Sequence, residues 1–468
     1  MALSNKEFPQ PVGIKRLFGP SFVILALGLG SGEVILWPYL ASNYGLGIVW
    51  GALLGITFQF FINMEIERYA LVKGESVFVG IAKIFKWSVY WFIISTFIGF
   101  GLPGIVAASA KVLAAVFGIT NFKFIAILML LFIGTVLSVG KTVYGMMEKI
   151  TKTIILIGVP FIFILAIILS SKTDWLALFS GIVGHGNNFW FLPPGIGLAT
   201  FLAAFAYSGA GGNLNLTQSI YIKEKGYGMG KYSQKIVGLF NSKEKQKIKL
   251  AGEDFEVNDE NISRFKSWWK AVNLEHLIVF LFIGALSMIL LMLLSFATTF
   301  GLSGNAEGIN FVINEGKMIG VKLAPIFGTI FLLLVSIMLF QTQLGVMDST
   351  SRIMAENMAI IKLKNNPDGL VNLSAIYYFF IWAQIAFGVI LFLLNIHEPK
   401  TLIIVGAVIN AFAMFVHIGL VSWLNRKSLP KAFQPNFLRK IMILVIFLFF
   451  GFFSTIVFLE KIGISLNY

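Results

Sequence analysis

The sequence has no cysteine and few charged residues. The absence of Cys from all 468 residues excludes disulfides, thiolate metal sites and a catalytic cysteine. Only 12% of the residues are charged, whereas a soluble domain carries about 25%. Its four histidines are scattered along the chain and form neither an HExxH motif nor another paired spacing. No cleavable signal pattern precedes the first apolar run, so we expect this run to insert as a spanning helix.

Apolar residues make up 57% of the chain and are concentrated in long runs. A helix of about 20 apolar residues crosses the hydrocarbon core of a bilayer. Eleven segments reach this length: 18–41, 46–70, 88–117, 122–140, 150–170, 195–221, 274–300, 323–347, 374–395, 401–424 and 439–459. The sequence therefore predicts an all-α integral membrane protein.

The positions of the basic residues predict the orientation. If the N-terminus is cytoplasmic, most of the 36 Lys and Arg residues fall on the inner side of eleven crossings, as the positive-inside rule requires. This bias also accounts for the net charge of +14 without a nucleic-acid partner. We expect a multi-pass plasma-membrane protein in the lipid bilayer, with an extracellular C-terminus.

The first apolar segment is interrupted at mid-membrane depth. Its middle reads Gly28-Leu29-Gly30-Ser31-Gly32-Glu33, so that three glycines and a carboxylate lie where a regular helix is expected. Glycine weakens a helix, and a charge at the centre of a span costs about 2.5–3.5 kcal/mol unless it meets a cavity or partner. A helix broken beside an acid is typical of a transporter binding site, although a kinked structural helix with Glu33 near the outer interface is the alternative.

The segment 195–221 has a matching break, because Ser208-Gly209-Ala210-Gly211-Gly212-Asn213 is too rich in glycine to remain helical. The two breaks lie five helices apart, which indicates an inverted repeat of five plus five helices. The predicted organisation is a cytoplasmic tail 1–17, a first repeat 18–170, a second repeat 195–424 with a cytoplasmic insertion 223–270, and an eleventh helix 439–459. Helix packing motifs rich in glycine are the alternative explanation of the breaks.

The chemistry of the breaks leaves several substrates open. Glu33 supplies a negative charge, while Ser31, Ser208, Asn213 and Asn215 supply neutral oxygens, which suit hard cations such as Mg²⁺, Ca²⁺ or Mn²⁺. The same groups suit an organic ammonium ion, and a buried Glu33 is also a candidate to carry a proton.

Three other polar features accompany the breaks. Glu65 and Glu67 lie at the predicted cytoplasmic end of the second helix and are candidates for a proton relay. Asp348 and Arg352 are spaced as a local ion pair on the eighth helix. The insertion 223–270 is expected to be a solvated loop with a short amphipathic helix at most.

The chain resembles the Nramp (natural resistance-associated macrophage protein) family over nearly its whole length. The resemblance rests on Gly19-Pro20 opening the first helix, on the eleven helices, and on Asn213-Leu214 after the sixth-helix break. It implies the LeuT-type fold of the APC superfamily, with discontinuous helices 1 and 6 and proton-coupled import of divalent metals. It also implies a transporter that is not an enzyme and needs no cofactor.

The sequence departs from both signatures of that family. Gly30-Ser31-Gly32-Glu33 stands in place of Asp-Pro-Gly-Asn, and Ala210-Gly211-Gly212-Asn213 stands in place of Met-Pro-His-Asn. The loss of the thioether removes the soft ligand that favours Mn²⁺ or Fe²⁺, and glycines are expected to make a roomier site that also admits an organic solute.

We predict a secondary transporter of a small inorganic cation, of the Mg²⁺ or Mn²⁺ type, with protons as a candidate coupling ion. A small organic solute, such as an amino acid, is the alternative substrate. The candidate substrate-binding residues are Gly30, Ser31, Glu33, Tyr207, Ala210, Asn213 and Gln343, of which Glu33 and Asn213 are the candidate metal ligands.

Overall fold

The computed structural model describes residues 6–13, 19–28, 30–139, 143–234, 247–365 and 369–461. Its first half contains α1 (Pro20–Gly28), α2 (Trp37–Tyr44), α3 (Val49–Lys73), α4 (Val77–Ile84), α5 (Ser88–Gly101), α6 (Gly104–Phe117), α7 (Phe122–Val139), α8 (Val143–Leu169) and α9 (Lys172–Ile182). Its second half contains α10 (Leu198–Ala206), α11 (Thr217–Lys225), α12 (Asp259–His276), α13 (Gly284–Thr299), α14 (Asn310–Lys322), α15 (Pro325–Asn365), α16 (Leu373–Leu393), α17 (Pro399–Ser428) and α18 (Phe437–Lys461). A two-stranded hairpin, β1 (His185–Gly186) with β2 (Phe189–Trp190), separates the halves.

The helices confirm a polytopic membrane protein. Within the described residues, nine helices are long and apolar enough to cross a bilayer, and a tenth is added if the bent pair in α8 and α9 forms one span. The sixth predicted segment is divided between α10 and α11, and each part has only nine residues. The break predicted from its glycines is therefore present, as is the break that divides the first segment into α1 and α2.

Two predicted spans are longer in the structure than in the sequence analysis. The seventh runs from Asp259 to Thr299 through a π-helical stretch at Leu277–Ile283, and the eighth continues to Asn365. Hydropathy missed these extensions because both carry charged residues. Part of the insertion that was expected to be a solvated loop is therefore helix.

The N-terminal end of the seventh span packs against the N-terminal segment of the chain. Phe8 is fully buried, and its backbone N–H donates to Asn261 Oδ1 at 3.0 Å. Trp268, also buried, donates its indole N–H to the carbonyl of Pro9 at 2.9 Å. The described part of the predicted cytoplasmic tail is thus packed against α12. The rest of the tail lies outside the described residues.

The predicted pair on the eighth helix is confirmed. Arg352 Nε lies 2.9 Å from Asp348 Oδ2, and Tyr377 donates its hydroxyl proton to Asp348 Oδ1 at 2.5 Å. Charged residues at the end of the second helix were expected to face the cytoplasm. The structure instead buries both Glu65 and Glu67, because α11, α12 and α17 cover that part of α3.

Candidate functional site

The first spanning helix changes its path at the glycine-rich stretch. α1 ends at Gly28, Gly30 takes the non-helical angles φ −143° and ψ −103°, and a π-helical turn follows over Ser31–Leu36 before α2 begins. All six residues of that turn are buried. π-helical turns are rare and frequently mark functional sites, since they release backbone groups from the regular helical pattern.

The sixth spanning helix is interrupted more widely. α10 ends at Ala206, and regular helical structure resumes in a 3₁₀ turn at Gly212–Leu216. Between them Gly209 and Gly211 have φ angles of +119° and +70°, which other L-residues rarely adopt. The break therefore requires glycine at these positions, and it leaves carbonyl groups outside the helical ladder.

The two interruptions touch each other. A Cβ atom built on Gly28 would lie 2.6 Å from Gly209 Cα, and one built on Gly32 would overlap the backbone oxygen of Tyr207. A Cβ on Gly30 would lie 2.7 Å from Thr342 Cβ on α15. The glycines were expected to make the site roomier. The structure shows the reverse, since these glycines allow the two backbone breaks and the side chain of Thr342 to approach closely.

The side chain of Glu33 has no hydrogen-bond partner among the residues that the structure describes. The residue is fully buried, and neither carboxylate oxygen accepts a hydrogen bond from them. A Cβ built on Gly284, at the start of α13, would lie 3.9 Å from Glu33 Oε1, close to the side chains of Leu25 and Ile56. The carboxylate therefore lies among apolar neighbours, where an unpaired charge is strongly unfavourable.

Asn213 contacts a different helix from the one beside Glu33. Its side-chain amide donates to Ser95 Oγ at 2.8 Å and to Thr96 Oγ1 at 2.9 Å, both on α5. Its Oδ1 atom is buried and accepts no hydrogen bond. The two candidate metal ligands thus have different surroundings, with Glu33 beside α13 and Asn213 beside α5.

The remaining candidates lie around the contact between the breaks. Ser31 and Ala210 are buried in the two interruptions, and Gln343 is a buried neighbour of Thr342 whose Oε1 atom accepts no hydrogen bond. The ring of Tyr207 stacks on Phe100, with 6.3 Å between ring centroids. The structure therefore places Gly32, the neighbour of Ser31, against Tyr207, and it places Gly30 against Thr342.

Two polar residues that the sequence analysis did not select hold the sixth-helix break in place. Gln59 Nε2 donates to the carbonyl of Ala206 at 2.9 Å, and Gln59 Oε1 accepts from the backbone N–H of Gly211 at 3.0 Å. Asn410 Nδ2 donates to the hydroxyl of Tyr207 at 2.9 Å and to the carbonyl of Gly99 at 3.0 Å. Each is a polar residue within a largely apolar span, and this pattern in the sequence could have identified both residues as candidates.

A second buried polar cluster lies where the N-terminal end of α1 meets α3 and the C-terminal end of α12. His276 Nδ1 lies 3.3 Å from Glu67 Oε1 and 2.8 Å from Ser21 Oγ, and the Ser21 hydroxyl donates to Glu275 Oε2. Gln218 Nε2 donates to Glu67 Oε1 at 2.5 Å. This cluster joins α1, α3, α11 and α12, so it connects the first part of the first helix to its neighbours.

Known structures share this arrangement of helices. No protein-family model matches the sequence, and neither does any curated protein. A mutant of the Eremococcus coleocola manganese transporter aligns with a TM-score of 0.72 and 11% identity, covering 99% of this chain and 92% of that chain. The chain has the fold of the Nramp manganese transporter. A complex of that transporter with an aromatic bis-isothiourea substituted compound gives a TM-score of 0.69 at 13% identity, covering 98% of this chain and 90% of that chain.

A second transporter is less similar. The structure of MhsT in complex with L-phenylalanine aligns with a TM-score of 0.50 and 14% identity, covering 94% of this chain and 97% of that chain. The fold expected from the Nramp resemblance is thus confirmed, with the LeuT-type interruption of the first and sixth helices. At identities this low, the likeness concerns the fold and leaves the substrate to the residues of the site.

Proposed function

We propose that this protein is a secondary transporter that moves a small inorganic cation, of the Mg²⁺ or Mn²⁺ type, by alternating access. The observation that carries the proposal is Glu33, a fully buried carboxylate that has no hydrogen-bond partner in the described part of the chain. It follows directly on a helix break that contacts a second break. In secondary transporters, substrates and coupling ions bind near the bilayer midplane between such discontinuous helices.

The groups near the breaks favour a positively charged substrate. Besides Glu33, the surroundings of the breaks contain two buried amide oxygens that accept no hydrogen bond from the described residues, Asn213 Oδ1 on the side of α5 and Gln343 Oε1 on α15. Within the described residues, no group of three or more His, Cys, Asp and Glu side chains is placed to hold a metal ion. A cation here would be bound by one carboxylate together with amide and backbone oxygens, a set that suits hard ions.

An organic solute is the second candidate. MhsT, whose structure contains L-phenylalanine, supports it, since that transporter has a related fold. The close approach of the glycines argues against it, because Gly28, Gly30 and Gly32 meet neighbouring atoms where a larger ligand would need space.

Binding and uptake by the full chain distinguish these candidates. We expect Mn²⁺ or Mg²⁺ to raise the thermal unfolding temperature of the purified protein and to be taken up into proteoliposomes. A panel of amino acids should produce neither effect. Binding of an amino acid, with no response to any divalent ion, would contradict the cation as substrate and support an organic solute instead.

We further propose that protons drive transport through the cluster of Glu67, His276 and Glu275. All three side chains are buried, and Glu67 Oε2 and Glu275 Oε1 accept no hydrogen bond. Two ionised carboxylates beside a neutral His would be costly inside a membrane, so a shared proton stabilises the cluster. Arg439 has other partners, since its Nη1 atom lies 3.4 Å from Glu65 Oε1 and its Nη2 atom donates to Asn273 Oδ1. Because Ser21 belongs to α1, movement of that helix would break the chain of hydrogen bonds.

Replacement of Glu67 by Gln tests this coupling. We expect Glu67→Gln to bind the substrate cation normally but to lose the stimulation of uptake by an inward proton gradient, because the variant can neither gain nor release the proton. Uptake at an outer pH of about 5.5 and about 7.5 measures the effect. Glu260→Gln, at an exposed acid on α12, is the control. Retention of gradient-driven uptake in Glu67→Gln would contradict the proposal.

The placement in the membrane is also a proposal. The bias of Lys and Arg supports a plasma-membrane protein with a cytoplasmic N-terminus and an extracellular C-terminus. The candidate site is the same in either orientation, because the two breaks lie within the spans.

A further inference from the structure

A cavity of about 560 Å³ opens near the inner ends of α4, α5 and α15, well away from the breaks. The segment 248–251 forms one of its walls. Its apolar lining includes Val79, Val89, Ile248 and Leu250, which are all buried. An apolar cavity of this size is large enough for part of a lipid tail, although a single soluble ion would gain nothing from such walls.

Four lysines also line the cavity: Lys83, Lys86, Lys249 and Lys364. Two of them have acidic partners, since Lys83 Nζ lies 2.7 Å from Glu75 Oε2 and Lys249 pairs with Glu253. Within the described part of the chain, neither Lys86 nor Lys364 forms an ion pair. The mouth of the cavity therefore carries a net positive charge, which favours an anionic partner.

The cavity continues into a surface that is suited to lipid. Tyr90 lines the cavity and is 46% exposed, and one and two helical turns further along α5 Ile94 and Ile98 are 56% and 48% exposed. Residues spaced by four lie on one face of a helix. Trp87, which is 70% exposed, precedes this stripe at the level where aromatic residues favour the membrane interface.

From these observations we propose that the cavity binds an anionic phospholipid of the inner leaflet. Its phosphate would lie between Lys86 and Lys364, one acyl chain would enter the apolar cavity, and the other would follow the stripe from Tyr90 to Ile98. Basic pockets between membrane helices on the cytoplasmic side are known to hold anionic lipid headgroups. The inference is independent of the transported substrate.

Native mass spectrometry of the full-length protein tests the site, with dioleoyl phosphatidylglycerol as the probe and dioleoyl phosphatidylcholine as the zwitterionic reference. We expect retention of phosphatidylglycerol over phosphatidylcholine. The double variant Lys86→Gln with Lys364→Gln should bind phosphatidylglycerol about 25-fold more weakly, since each lysine near an anionic lipid accounts for about a fivefold change. The matched control is Lys266→Gln with Lys270→Gln, which removes the same charge from exposed positions on α12 and should leave binding unchanged.

A second variant examines the apolar part of the site. Ala82 lines the cavity, and Ala82→Phe should fill it and displace phosphatidylglycerol while all four lysines remain. Three results would overturn the proposal. These are equal binding of phosphatidylcholine, unchanged binding by the lysine double variant, and displacement of phosphatidylglycerol by inorganic phosphate at millimolar concentration, which would indicate a site for a soluble anion.

Discussion

Glu33→Gln is expected to abolish cation uptake while leaving the protein at least as stable as the wild type. The substitution keeps the shape of the side chain and removes its charge. Loss of one charged partner in a buried site costs about 2–5 kcal/mol, which corresponds to a fall in cation affinity of about 30-fold to about 4,000-fold. In the absence of cation, the same change removes an unpaired carboxylate from an apolar layer, and this relieves an unfavourable burial.

These two expectations have opposite signs, and together they separate a ligand from a structural residue. Uptake into proteoliposomes and thermal unfolding with and without Mn²⁺ or Mg²⁺ measure both. If the variant kept uptake, Glu33 would have no part in transport. If it lost stability without cation, Glu33 would have a structural role that the geometry does not show.

Glu315 offers a matched control outside the spanning helices. It is a buried acid on α14, and its Oε1 atom also accepts no hydrogen bond. Burial raises the pKa of the Glu315 carboxyl well above its ordinary value, so Gln closely mimics its neutral form. We expect Glu315→Gln to retain cation uptake, because this residue lies on a helix that does not belong to either break.

The breaks were predictable because glycine acts locally. Gly209 and Gly211 adopt positive φ angles, and a helix cannot continue through them whatever surrounds it. The ion pair of Asp348 with Arg352 was predictable for the same reason, since a spacing of four residues fixes it within one helix. Features of this kind depend on a few neighbouring residues, which a single sequence displays directly.

The neighbours of each side chain were not predictable in this way. Asn213 donates to Ser95 and Thr96, more than a hundred residues earlier in the chain, and Gln59 reaches the backbone of Gly211 across the helix interface. The expectation of a roomier site was wrong for a similar reason, because a glycine can either open space or permit a close contact. Only the position of the neighbouring backbone decides between these outcomes.

Gly32→Ala is expected to prevent the two breaks from meeting. The added methyl group would overlap the backbone oxygen of Tyr207 and lie 2.5 Å from its carbonyl carbon, and neither atom belongs to a flexible side chain. Overpacking of this kind usually costs about 1–3 kcal/mol, and more where backbone must move. We therefore expect a marked fall in thermal unfolding temperature and in the yield of monodisperse protein, together with loss of uptake.

Gly158→Ala provides the comparison, because Gly158 lies within α8 and a methyl group there would meet only Met338 Sδ, at 3.8 Å. Alanine is favoured over glycine in a helix by about 1 kcal/mol, so this variant should be as stable as the wild type or slightly more so. If Gly32→Ala matched it in both stability and uptake, the first and sixth helices would not be in contact in the membrane. A stable Gly32→Ala variant without uptake would instead restrict the contact to one state of the transport cycle.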